Sequence, residues 1–159
     1  MSVVEEVTQA NERYASGFDK GSLPMPPGRR FAVVTCMDAR LDPAGFLGLE
    51  EGDAHVIRNA GGLVNDETIR SLVISHHLLG TEEGVVIGHT DCGMLTFTNA
   101  DLHGKLGPES ESVDFQPFPD VAERVGQSVE TIRSHPLLPD SFGATGFVYD
   151  VATGRIEPA

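Results

Sequence analysis

Residues Phe31 to Thr35, FAVVT, form an unbroken apolar and β-branched run. A half-exposed strand alternates polar and apolar residues, whereas a run without alternation suits a strand buried on both faces. Such strands belong to parallel sheets, whose connections cover both sides. The rest of the chain keeps the matching rhythm. Residues 42–48 fit a short helix, and Ala54 to Arg58, AHVIR, a second strand. Asp66 to Leu79 is helical in pattern, with Ile69, Leu72, Val73, His76 and Leu79 on one face. Asn65 or Asp66 can cap its start, and Gly80 ends it. Val85 to Gly88 reads as a third strand and residues 120–134 as another helix, stopped before Pro136. Gly146 to Ile156 reads as a strand, a turn at Thr153-Gly154 and a short return strand. Strands alternating with helices predict an α/β fold with a largely parallel sheet.

Three segments stand apart from that rhythm. Residues 3–17 predict an amphipathic helix, with Val3, Val7, Ala10 and Tyr14 near one face. Residues 21–29, GSLPMPPGR, are a connector. Residues 104–119 are acidic, contain three prolines and read as a surface loop. The length of 159 residues suits a single domain, 1–159.

Charge removes several classes of function. Acidic residues outnumber basic ones 24 to 11, a formal net charge of −13. Nucleic acid and anionic lipid both need a positive patch, and no Lys or Arg run supplies one. No apolar run approaches the roughly 20 residues needed to span a bilayer. The N-terminus lacks the basic start and apolar core of a secretory signal, so a cytoplasmic location is expected.

The chain has two cysteines, Cys36 and Cys92. In a reducing compartment they favour metal binding or catalysis over a structural disulfide. Cys36 follows the first strand and His89 the third. Ligands of open parallel sheets bind beyond the carboxyl ends of the strands, so the two can converge across 53 positions. His89-Thr-Asp-Cys92 adds a second sulfur on a tight turn. Thiolate, thiolate and imidazole suit zinc. A structural zinc site takes four protein ligands, and three leave an open, catalytic position. Asp38 is the remaining candidate for the fourth place. An extended exit from the first strand would point Cys36, Asp38 and Arg40 to one side. Asp38 then either ligates the metal or pairs with Arg40. An inert buried Cys pair, or a surface ion pair, remains the simpler alternative for each.

Cys36-Met-Asp38-Ala-Arg40, followed by His89-Thr-Asp-Cys92-Gly93, resembles the β-class carbonic anhydrases. The resemblance runs from about Phe31 to Met94 and includes AHVIRNAGGLVNDETIRSLVIS; the GFVYDVATG tail also fits. It implies zinc on Cys36, His89 and Cys92, with Asp38 and Arg40 as a catalytic dyad that opens the site. It implies reversible hydration of carbon dioxide to bicarbonate. It further implies a parallel sheet with one antiparallel edge, and a homodimer, in some relatives a tetramer, in which residues 1–20 pack on the partner. The chain departs from well-known members in its short length, in lacking the glutamine that often precedes the first motif, and in having no tryptophan. These departures resemble a compact branch near enzymes that hydrolyse carbonyl sulfide or carbon disulfide. His55, His76, His77 and His103 are candidate proton shuttles. Two rivals remain. Arg58-Asn-Ala-Gly-Gly62 echoes the Asn-Ala-Gly of short-chain dehydrogenases, but no GxGxxG follows the first strand and no Tyr-x-x-x-Lys pair exists. Asn59 to Gly62 is read instead as a tight βα turn beside the metal pocket, and Asp91 as a solvated turn residue. A non-catalytic zinc or thiol-redox protein is the other.

Overall fold

The computed structural model describes residues 1–159. Its strands are β1 (Phe31–Cys36), β2 (Ala54–Asn59), β3 (Glu83–His89), β4 (Gly143–Tyr149) and β5 (Ile156–Pro158). They form one sheet in the order β2-β1-β3-β4-β5. All pairings are parallel except β4 with β5. The helices are α1 (Val3–Ser16), α2 (Pro43–Leu47), α3 (Asp66–Leu79), α4 (Asn99–Leu106) and α5 (Val121–Arg133). The α/β fold and the antiparallel edge are as expected. No helix is long and apolar enough to cross a membrane.

The core lies between the sheet and two helices. Ala32, Val34, Val86 and Ala144 face Ile69 and Leu72 of α3 and Val125, Val129 and Ile132 of α5. The opposite strand positions Val33, Thr35 and Ile87 are also fully buried, which explains the unbroken apolar run of β1. α5 lies close enough that a Cβ on Gly146 would come within 2.6 Å of Val125. Asn65 caps α3 by accepting from the Thr68 N–H, and Gly80 closes it in the left-handed conformation.

Three readings need correction. β3 and β4 are longer than expected, because register with β1 recruits Glu83 and, through it, Gly143. The acidic segment 104–119 is not simply a surface loop. It includes the end of α4 and a 3₁₀ turn at Pro108–Ser110, and it buries Ser110 and Phe118. The exit from β1 is not extended: Asp38 Oδ1 accepts the Arg40 backbone N–H at 2.9 Å, folding the chain into a turn.

α1 is different in kind. None of its residues is buried, and Val3, Val4, Val7 and Tyr14 are left exposed. Tyr14 donates to Glu51 at 2.8 Å, and Lys20 pairs with the same carboxylate.

Candidate metal centre

Parallel register delivers the first two donors to one level. Thr35 pairs with Ile87, so Cys36 at the end of β1 lies beside the end of β3, where His89 sits. A buried bond from Thr35 Oγ1 to the Ile87 carbonyl, 2.8 Å, ties the strands just beneath. The chain then turns through Asp91, in the left-handed region at φ 54°, and presents Cys92. The ligand atoms of Cys36, His89 and Cys92 all lie within 4.8 Å of one another, and all three residues are buried.

Histidine shows which atom is free. His89 Nδ1 lies 2.8 Å from the Thr90 carbonyl, which can only accept, so Nδ1 carries the proton. In the neutral imidazole Nε2 is then an unprotonated lone pair. It is buried and has no hydrogen-bond partner. The Asp38 carboxylate is 3.9 Å from it, beyond hydrogen-bond range. An unsatisfied buried lone pair within 4.8 Å of two sulfurs is what a cation would satisfy.

The sulfurs are prepared for the same role. The two thiols are driven apart in acidity: the neighbouring Cys92 pulls Cys36 down to about 4, and the same pairing, with burial, pushes Cys92 up. The Gly61 N–H adds a 3.3 Å bond to Cys36 Sγ. Burial opposes charge on His89, but the neighbouring Cys36 sulfur and the Thr90 carbonyl raise its pKa on balance. A divalent cation would displace the remaining thiol proton and take both sulfurs as thiolates.

Asp38 is held away from these donors. Arg40 Nε and Nη2 donate to Asp38 Oδ1 and Oδ2 at 3.0 and 2.8 Å. This fork, with the Arg40 backbone N–H, keeps the Asp38 carboxyl well below the usual carboxylate range. Of the two options the sequence left open, the structure has the pair with Arg40.

Three residues support the site in ways that sequence reasoning did not assign to them. Arg58 of β2 donates to the carbonyls of Cys36 and Asp38 at 3.0 and 2.7 Å, pinning the first motif from beneath. Gly62, at φ 63°, packs so closely that a Cβ would lie 2.9 Å from Cys36 N. Asp91, read as a solvated turn residue, accepts from Arg40 Nη1 at 2.7 Å. Arg58 and Asp91 bind partners distant in sequence, so local pattern gave no signal. The Asn59–Gly62 turn was expected beside the pocket and is there, braced by Asn59 hydrogen bonds to Leu63.

A cleft of about 320 Å³ opens over the cluster. Its walls include Met37, Ala60, Gly61, Met94 and Phe97, so it is mainly apolar around one carboxylate. None of the four candidate shuttle histidines lines it. His55 is bound to Ser75, and His76, His77 and His103 to backbone carbonyls. A larger cleft, about 620 Å³, lies between Lys20 and Val56 and contains none of the donors.

Fold and site together define an α/β protein with a three-donor cluster that could hold a metal at the carboxyl edge of a parallel sheet, faced by a carboxylate paired with an arginine. A profile of the family described as carbonic anhydrase matches residues 31–114. The chain belongs to the β-class carbonic anhydrase family. It is 48% identical over 160 residues to beta-carbonic anhydrase 1 of Mycobacterium tuberculosis, covering 99% of this chain and 98% of that one. A carbon disulfide hydrolase of Acidianus is 36% identical over 173 residues, covering 92% of this chain and 83% of the relative. The crystal structure of a carbonic anhydrase from Streptococcus mutans superposes with a TM-score of 0.93 at 46% identity, covering 99% and 98% of the two chains.

Proposed function

We propose that this chain is a zinc enzyme that reversibly hydrates carbon dioxide to bicarbonate and a proton. The observation that carries this reading is a buried Cys-His-Cys donor set with a free imidazole lone pair and no fourth protein ligand. Cys36, His89 and Cys92 would hold the zinc. When bound, it supplies the Lewis acidity that lets water act as a nucleophile near neutral pH. The two thiolates cancel its formal charge, so this effect is weaker than with three imidazoles. Activity should therefore rise toward alkaline pH.

Asp38 and Arg40 complete the machinery. Asp38 stays ionised, because Arg40 holds its carboxyl well below the usual carboxylate range. It is too weak a base to carry off the proton, but it can accept a hydrogen bond from the attacking water and fix its orientation. Arg40 keeps that carboxylate turned from the donors. Met37, Ala60, Met94 and Phe97 give an apolar substrate a dry approach.

The same cleft suits linear sulfur analogues, and relatives named carbon disulfide hydrolase support that second reading. Stopped-flow hydration of carbon dioxide by zinc-loaded protein, beside sulfide release from carbonyl sulfide and carbon disulfide, decides between them. Faster turnover of a sulfur substrate would overturn the leading assignment. Residues 1–159 act as one zinc domain in the cytoplasm. The exposed apolar side chains of α1 support a homodimer in which α1 packs on the partner. Sedimentation velocity tests this: a monomer at micromolar concentration would refute it.

A further inference from the structure

We propose that Asp91 is a positioning residue for the reaction: it anchors Arg40, and through Arg40 it holds Asp38 in its working orientation. This rests on the functional reading above. Asp38 and Arg40 sit two positions apart on one exposed turn. Paired only with each other, they could swing together. The third point of attachment comes from the β3 side. Asp91 Oδ2 accepts from Arg40 Nη1 at 2.7 Å, and the Asp91 carbonyl accepts from Nη2 at 2.9 Å. The guanidinium therefore spans both ligand-bearing motifs, with a carboxylate on each side.

Two further features point the same way. Asp91 holds φ 54°, a conformation costly for most residues, and there both its carbonyl and its carboxylate reach Arg40. Its carboxylate has no other hydrogen-bond partner. The side chain is 76% exposed, so the turn alone would be served as well by Asn or Gly. The negative charge is used on Arg40.

The test separates anchoring from turn formation. Asp91→Gly removes the side chain at a φ glycine accepts freely; Asp91→Asn keeps shape and turn but removes the charge. In either variant the backbone carbonyl still binds Arg40, and the pair is largely exposed. The expected loss in kcat/KM for zinc-loaded protein is thus only about two- to fivefold, larger for Asp91→Gly. It should fall mainly on kcat, with zinc content unchanged. A second readout uses metal-free protein: urea denaturation of Arg40→Ala, Asp91→Gly and the double variant should give non-additive effects, coupled about two- to fivefold in the unfolding equilibrium constant. Wild-type kcat in Asp91→Gly, loss of zinc along with activity, or additive denaturation effects would each overturn the proposal. If the zinc-loaded parent hydrates no carbon dioxide, the functional reading fails instead, and the denaturation cycle still judges the Asp91–Arg40 link.

Discussion

Gly62→Ala should damage the metal centre by moving the end of β1, although Gly62 carries no ligand. Its φ of 63° lies in the left-handed region, where an L residue costs about 1–2 kcal/mol. The added Cβ would lie 2.9 Å from Cys36 N, 2.9 Å from Thr35 C and 3.1 Å from Thr35 Cα. These are backbone atoms of two buried residues, so no side chain can swing aside. Overpacking of this kind costs a further 1–3 kcal/mol or so. The total, roughly 2–5 kcal/mol, is a large share of the roughly 5–15 kcal/mol that stabilises an ordinary domain. Gly80→Ala is the matched control. Gly80 has φ 73° and nothing within 4 Å of its added Cβ. Both variants also lose the same unfolded-chain freedom. The difference between them, measured by urea denaturation of metal-free protein at fixed concentration, should be about 1–3 kcal/mol, or some 2–12 °C in Tm. Zinc retained after dialysis against a chelator should drop in Gly62→Ala and not in Gly80→Ala. A stability difference under about 0.5 kcal/mol, with equal zinc retention, would refute the claim that backbone contact at this turn sets the position of Cys36.

Arg40→Ala should abolish most carbon dioxide hydration while metal analysis still finds one zinc per chain, because Asp38 is then free to turn onto the metal. Cys36→Ser should instead lose zinc, and with it activity; full zinc occupancy would contradict the ligand assignment. Acid stability follows from the same pair. Asp38 has a depressed pKa in the folded state, so its contribution is present above the unfolded value of about 4 and is lost as pH falls through the folded value. Arg40→Ala should therefore flatten the loss of metal-free stability below about pH 4, read as urea midpoint against pH.

The sequence disclosed those parts whose causes are local or periodic. The unbroken FAVVT run gave a strand buried on both faces, and Asn65 with Gly80 marked the ends of α3. The three donors were legible because parallel strands gather their carboxyl ends, and every thiol of the chain lies at one. Long-range hydrogen bonds left no such mark. Arg58 looked like part of an unrelated motif until its guanidinium was found on the Cys36 and Asp38 carbonyls. Phe118 lay in a segment dismissed as loop because acid and proline content describe composition and not the partner of one aromatic ring. It packs with Met94 and Gly61 at the edge of the site.

α1 carries a consequence for how the protein breathes. A 14-residue helix with no residue buried in its own chain is marginal in water, whatever its capping box contributes. Its amide hydrogens should exchange quickly whenever a lone chain is present and slowly only under the cover of another. In the assembly proposed above, the exchange rate of Val7 to Tyr14 would rise on dilution while that of Leu72 and Ile132 in the core would not. Those few amides would serve as a built-in gauge of the association constant.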